Sequence, residues 1–192
     1  AYDLDAREPV FFKSWEAKEG PDWYMADVAV ATASAPTYLP PATVQSVDGR
    51  QTRRLLDGGL AANCPAMCAY AEAKRHCPSA DVILVSIGAG DSAQAIDYRA
   101  AGKQGVLQLA PKIVGTAIDG PMDCVDYQCR NLIGEGRYFR LCPRIEKAVD
   151  RMDDASHQHL DRVTDIAHRY CYENRSRLDS IAALLTGRKE AA

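Results

Sequence analysis

Two features are missing from the sequence: a long apolar run and a block of charges of one sign. An apolar segment such as Val82–Ile87 is far shorter than the ~20 residues of a transmembrane helix. Positive and negative side chains are interspersed, with 23 Lys and Arg against 26 Asp and Glu. These absences exclude a membrane-spanning helix among these residues and the basic surface of a nucleic-acid-binding protein.

The cysteines lack the spacing of a metal site. Neither Cys64-x3-Cys68 nor Cys124-x4-Cys129 has the short paired spacing of a zinc motif, and no histidine pair stands beside them. We therefore expect no metal and no cofactor. Seven cysteines, an odd number scattered through helix-like and strand-like segments, favour reduced thiols over a disulfide framework. This usage predicts a cytoplasmic location.

The composition is that of an ordinary globular protein. The 192 residues are 47% hydrophobic and 26% charged, which is enough apolar material to bury a core. We expect one domain over residues 1–192. The chain opens "AYDLDAREPVFFKSW", with a β-rich run almost at once and no initiator Met. We expect these residues to be part of a longer protein, with the missing portion before Ala1.

Strand-like and helix-like patterns alternate in the first half. "DVILVSIGAG" is nearly uninterrupted apolar sequence, which is typical of a strand buried on both faces in a parallel sheet. The other predicted elements are a strand at Pro9–Trp15, a short helix within "MADVAVATASAP" that ends before Pro36, a short strand within "RRLLDGG", and a helix that begins at Pro65.

The second half is predicted to be mainly helical, and the overall class is α/β. Helices are expected at 104–118 and 122–132, a strand within "RYFRLCP", and a long helix that begins near Ser156 with Asp153 and Asp154 at its positive end. That helix carries an apolar stripe expected to dock on the body of the protein, formed by Leu160, Val163, Ala167, Tyr170, Cys171, Leu178, Ile181 and Leu185.

The stretch "RLLDGGLAANCP" places an acidic residue and two glycines directly after an apolar strand. In open α/β sheets the ligand crevice lies outside the carboxyl ends of the strands, which is where Asp57 is predicted. Gly58 and Gly59 have no Cβ, so they permit positive φ and the close approach of another backbone or of a ligand. Either this is an ordinary strand–turn–helix connection, or Asp57 is held there for chemistry.

Three segments in this order resemble the carboxyl-terminal half of the patatin-like phospholipases: "ATASAPTYLPP" (31–41), "LLDGGLAANCP" (55–65) and "ILVSIGAG" (83–90). "YFRLCP" and "MDDAS" also resemble family features and are less specific. The resemblance implies a three-layer α/β/α fold with a mostly parallel sheet, incomplete in this chain. Residues 1–192 would then be the C-terminal portion of a single patatin-like domain.

The resemblance also implies a function. Patatin-like phospholipases are lipid acyl hydrolases, of phospholipase A, lysophospholipase or esterase type, that degrade lipids with a Ser-Asp dyad and no histidine. By match of motif Asp57 is the aspartate, and Gly58, Gly59 and Asn63 support its turn. A carboxylate is a weak base in water, so this role requires a partly desolvated position and a short hydrogen bond. The four histidines are predicted to lie on solvated surface and offer no alternative base.

The chain departs from the family at the nucleophile. The family's serine lies in Gly-x-Ser-x-Gly, and the nearest match here is "GDSAQ", in which Gln94 replaces the second glycine. Ser92 is therefore expected to begin a loop and not to be catalytic. Cys64 and Ala89 replace a family Asn and Thr. We expect the serine in the portion before Ala1, and these 192 residues alone to be inactive.

Two classes of function remain open from the sequence. One is an enzyme whose partners are a lipid or fatty-acyl ester substrate and the missing N-terminal portion that carries the serine. The other is a non-catalytic interaction or regulatory module that keeps the fold. Asp57 with both glycines favours the enzyme. No nucleic-acid partner is expected, and any membrane contact is expected to be peripheral.

Overall fold

The computed structural model describes residues 1–91, 106–145 and 153–187, with backbone alone for 106–116. No helix in these ranges is long and apolar enough to cross a bilayer. The chain divides into two compact units. The first comprises Ala1–Pro65 with Ala110–Met122, and the second comprises Ala66–Leu109 with Asp123–Ala192.

The first unit contains a four-stranded antiparallel sheet in the order β2-β1-β4-β3. Tyr2 of β1 lies opposite Leu56 of β4, and Ala42 of β3 lies opposite Leu55. The elements are β1 (Tyr2–Asp3), β2 (Glu8–Pro9), a 3₁₀ turn (Glu16–Lys18), α1 (Met25–Thr32), β3 (Ala42–Gln45), β4 (Thr52–Leu56) and α2 (Gly59–Ala62).

The core of the first unit joins α1 to the β3–β4 hairpin. Ala31, Val44 and Leu55 are 0%, 3% and 0% exposed and form one cluster. The hairpin connection requires Gly49, whose φ of 69° lies in the left-handed region that a side chain disfavours. The core therefore fixes α1 against β4, the strand that leads to Asp57.

The predicted strand Pro9–Trp15 is wrong beyond Pro9, although its alternation is real. Phe12 packs inward and meets the Trp23 ring edge-on at 5.5 Å, while Phe11 is 49% exposed. Among the described residues the segment has no strand partner after β2, and the Val10 amide donates to the Ala1 carbonyl at 2.8 Å. Alternation reports which side is buried, and it does not supply a neighbouring strand.

The second unit contains a parallel pair, β5 beside β6, with Leu84 opposite Tyr138 and Ile87 opposite Leu141. An ion pair between Arg137 and Asp81 lies near the start of the two strands. The elements are α3 (Ala66–His76), β5 (Leu84–Ile87), the two ends of α4 (Val106–Ile133), β6 (Tyr138–Leu141), α5 (His157–Glu173) and α6 (Arg175–Thr186). Residues 110–122 of α4 belong to the first unit.

The α/β class is confirmed, and so is parallel pairing at the "ILVSIGAG" strand. Two details differ from expectation. The larger described sheet is antiparallel. In addition, β5 is not buried on both faces. Ser86 is buried, whereas the side chain of Ile87 is 79% exposed.

The two helices predicted at 104–118 and 122–132 are one continuous helix, α4. Gly120 and Pro121 lie inside it. Proline removes one helical hydrogen bond and often ends a helix. Here nothing lies within 4 Å of the position that a Gly120 Cβ would occupy, so this turn is uncrowded. The periodic apolar sequence on either side continues the helix through the proline.

The long C-terminal helix begins as predicted and then divides. Ser156 is the N-cap, and its hydroxyl accepts a hydrogen bond from the His159 amide at 3.3 Å. The helix ends at Asn174, where α6 begins. The predicted docked stripe forms only in part. Leu160 and Leu185 are 51% and 59% exposed, whereas Ile181 is buried and the Tyr170 hydroxyl accepts a hydrogen bond from the Cys142 amide at 3.2 Å.

Candidate functional site

Asp57 directly follows β4, and the end of α1 holds its backbone in place. Its amide donates to the Ser34 carbonyl at 3.0 Å, and the next amide, that of Gly58, donates to the Thr32 carbonyl at 3.3 Å. These bonds replace the strand pairing that ends at Leu56. The side chain of Asp57 is half-buried. The chain therefore presents a partly desolvated carboxylate at the end of a short strand.

The carboxylate is fixed by a bond to its own turn. The Gly59 amide donates to Asp57 Oδ1 at 2.5 Å, and the Leu60 amide donates to the Asp57 carbonyl at 3.3 Å. Such an aspartate turn is a common way to leave a strand. Within the described part of the chain Oδ2 accepts no hydrogen bond, and the carboxylate attracts the amino group of Ala1 electrostatically.

The two glycines are needed for close approach and not for positive φ. Gly58 has φ −65° and ψ −22°, and neither glycine lies in the left-handed region, so the freedom that they have to adopt positive φ is not used here. A Cβ on Gly58 would lie 2.9 Å from Thr32 Oγ1. A Cβ on Gly59 would lie 2.9 Å from Asp57 Oδ1 and 3.1 Å from Asn63 Oδ1. Side chains at either position would collide with the site.

Asn63 lies beside the carboxylate, at the end of α2. Asn63 Oδ1 and Asp57 Oδ1 both lie close to the position that a Cβ on Gly59 would occupy. Asn63 Nδ2 donates a hydrogen bond to the sulfur of Met122 at 3.0 Å. The four residues predicted to form the site therefore meet in one turn. The sequence did not reveal α2, because its four residues are too few to show a period. The next helix begins at Ala66, one residue after the predicted start.

Other predicted positions fall away from this turn. Ser92 lies outside the described residues. The glycines after β5 fit the chain against the residues after β6, since a Cβ on Gly88 would lie 2.7 Å from the Cys142 sulfur and one on Gly90 2.8 Å from Ile145. All seven cysteines are free thiols. In the described ranges no cluster of three or more His, Cys, Asp or Glu could hold a metal ion.

Sequence reasoning missed Thr32 and Ser34, which contact the Asp57 turn through their carbonyl groups. Backbone contacts leave no residue-type signature, so chemistry alone could not reveal them. One signal was present. Both residues lie in or beside "ATASAPTYLPP", a segment that carries the family resemblance.

Comparison with known proteins agrees with that resemblance. No protein-family model matches the chain. Patatin-like protein 2 of Oryza sativa subsp. indica is 25% identical over 210 residues, which cover 93% of this chain and 52% of that protein. Patatin-like protein 2 of Arabidopsis thaliana is 41% identical over 76 residues, 37% of this chain and 19% of that protein.

A third relative has a name that bears on activity. Probable inactive patatin-like protein 9 of Arabidopsis thaliana is 30% identical over 139 residues, which cover 68% of this chain and 36% of that protein. The chain spans about half the length of the first curated relative it matches. Fold and site define an α/β protein with an aspartate turn at the end of a strand. The chain is a relative of the patatin-like proteins.

Proposed function

We propose that this chain is the aspartate-bearing portion of a serine acyl hydrolase that acts on carboxylic esters of lipids. The observation that carries the proposal is the Asp57 carboxylate. It is half-buried at the end of β4, with one oxygen bonded to the Gly59 amide and the other accepting no hydrogen bond from the described residues. The relationship to patatin-like proteins supports the same reaction class.

In the proposed reaction the serine comes from the portion of the protein that precedes Ala1. Its hydroxyl oxygen attacks the ester carbonyl carbon while Asp57 Oδ2 takes the hydroxyl proton. The tetrahedral adduct expels the alcohol, which receives that proton from Asp57. Water then attacks the acyl-serine and gives a proton to Asp57; the second tetrahedral adduct expels the serine oxygen, which takes that proton back from Asp57, and the fatty acid is released. The carboxylate returns to its starting state after each turnover.

The hydrogen bond from Gly59 suits this role. It orients the carboxylate without an intervening histidine and occupies Oδ1, which leaves Oδ2 for the serine in the proposed reaction. Asn63 presents a second polar group next to the same turn.

A non-catalytic module that keeps the fold is the second candidate. One relative supports this candidate by its name: Probable inactive patatin-like protein 9 matches 68% of this chain at 30% identity. The presence of Asp57 with both close-packed glycines favours the enzyme, since a module without catalysis has no need of a carboxylate in that turn.

A covalent probe on the complete protein separates the two candidates. We expect a fluorophosphonate to label one serine before Ala1, and the labelled protein to lose its hydrolysis of p-nitrophenyl esters and of phospholipid vesicles. Catalytically dead protein prepared by heat denaturation is the control. Absence of both labelling and hydrolysis in a folded, complete protein would favour the non-catalytic module.

The location is also proposed. Seven free thiols are compatible with a reducing compartment, and we place the protein in the cytoplasm with peripheral membrane contact. Fractionation of cells that express the complete protein tests this, and recovery in the secretory pathway would contradict it.

A further inference from the structure

The residues at the end of α1 are hydrogen-bonded to the turn that carries Asp57. Two consecutive amides of the turn, those of Asp57 and Gly58, donate to the carbonyl groups of Ser34 and Thr32 at 3.0 and 3.3 Å. These bonds join segments more than twenty residues apart in the chain. They fix the backbone from which the Asp57 side chain projects.

Ser34 holds its own carbonyl in place. Its side chain is 2% exposed, and its hydroxyl donates to the Val30 carbonyl at 2.8 Å, which closes the last turn of α1. Ala31, which lies near the end of α1 and in the core, packs against Leu55 of β4. The Ser34 carbonyl is therefore supported on one side by a buried hydrogen bond and on the other by the core.

Thr32 sets the distance of closest approach. Its Oγ1 lies 2.9 Å from the point that a Cβ on Gly58 would occupy and is the nearest atom to it, and the backbone nitrogen of Ala1 lies 3.3 Å from the same point, so the turn has no room for a methyl group. The conformation of Gly58 is one that any residue adopts. The glycine is required by the neighbour and not by the backbone.

We propose that Thr32 and Ser34 are positioning residues for Asp57: they set where its carboxylate stands relative to the serine and the ester. The inference rests on the proposed function, in which Asp57 is the general base. A displacement of about 1 Å in a catalytic group lowers the rate by up to about 100-fold, so a contact of this kind controls kcat.

Paired substitutions in the complete protein test Thr32. Gly58→Ala should lower kcat about tenfold or more with little change in KM, because the added methyl displaces the turn. The double variant with Thr32→Ala and Gly58→Ala should recover most of the lost kcat. Its kcat is compared with that of the single Thr32→Ala variant. Thr32→Val keeps the bulk and should give no rescue. Equal kcat for Gly58→Ala and the wild type would overturn the role of Thr32.

Amide hydrogen exchange tests Ser34 independently of activity. Ser34→Ala removes the bond to Val30, and we expect the Asp57 amide to exchange about tenfold faster while the Ser46 amide, which donates to the Gln51 carbonyl in the hairpin, does not change. Ser34→Thr keeps the hydroxyl and should restore slow exchange. Unchanged exchange at Asp57 in Ser34→Ala overturns the role of Ser34.

The two proposals fail in different ways. If Asp57→Asn keeps wild-type activity, the general base is wrong, and with it the catalytic purpose of the positioning residues. If Asp57→Asn is inactive while Gly58→Ala keeps its kcat and Ser34→Ala keeps slow exchange, the base stands and the positioning is wrong. Loss of kcat in Gly58→Ala with rescue by Thr32→Ala supports both.

Discussion

Two aspartate–arginine pairs in neighbouring positions offer a controlled test of how burial sets the strength of an ion pair. Asp3 meets Arg53 and Asp5 meets Arg54, each with a shortest N···O distance of 2.7 Å. The exposed pair has the better contact geometry, because Arg54 donates two hydrogen bonds to Asp5 at 2.9 and 2.7 Å. Contacts alone would therefore rank Asp5 above Asp3.

Burial reverses that order. Asp3 is 3% exposed and also accepts from the amides of Asp5 and Ala6, so Asp3→Ala removes three hydrogen bonds and leaves Arg53 without its carboxylate. Loss of one member of a buried pair costs about 3–5 kcal/mol. Since the Arg53 side chain is 31% exposed, we expect about 3 kcal/mol. The Asp5 and Arg54 side chains are 51% and 65% exposed, so Asp5→Ala should cost about 1 kcal/mol or less.

The measurement is urea unfolding at neutral pH, followed by tryptophan fluorescence, since the Arg53 guanidinium lies 5.8 Å from the Trp23 ring centre. Burial alone would raise the pKa of Asp3, but hydrogen bonds from Ala6, Arg53 and Asp5 outweigh it and hold this pKa below its ordinary value. The stabilisation is therefore complete above about pH 4, near the pKa of an unfolded Asp, and is lost as the pH falls through the lower folded pKa. An equal or larger cost for Asp5→Ala at neutral pH would refute the reasoning.

Two further predictions concern the chain by itself and the start of α5. Residues 1–192 alone should hydrolyse p-nitrophenyl esters no faster than a denatured control, because the proposed nucleophile is not among them; turnover that disappears in Ser92→Ala would contradict the site assignment. Ser156→Ala should destabilise the protein by about 1 kcal/mol in thermal unfolding through loss of the helix cap, whereas Ser176→Ala in the first turn of α6 should be neutral or stabilising.

The sequence predicted elements that have strong local signals. The apolar run at "ILVSIGAG" became β5 in a parallel pair, and the Ser156 cap began a helix. The strand before Asp57 and the short helix before Pro36 also form. In each case a cap, a breaker or a dense apolar run decides the structure within a few residues, so neighbours far along the chain were not required.

Features that depend on distant partners could not be predicted. β1 pairs with β4 in the antiparallel direction, and the residue types in the two strands do not predict that direction. The sequence predicted a close approach at the two glycines. The residues that approach them, Thr32 and Asn63, are visible only in the structure. The site residues were predicted from a motif, whereas the structure shows that they lie in one turn.

The most direct test of the proposed function replaces one carboxylate and keeps its shape. In the complete protein, Asp57→Asn should lower kcat for ester hydrolysis by roughly 10²–10⁴-fold, because the amide keeps a hydrogen-bond acceptor for Gly59 and loses the basicity. The folded state should survive, with at most about 1 kcal/mol of lost stability. Asp48→Asn is the matched control, since Asp48 also accepts the amide two residues later in a turn, and its kcat should not change. A folded Asp57→Asn protein with wild-type kcat would contradict the account.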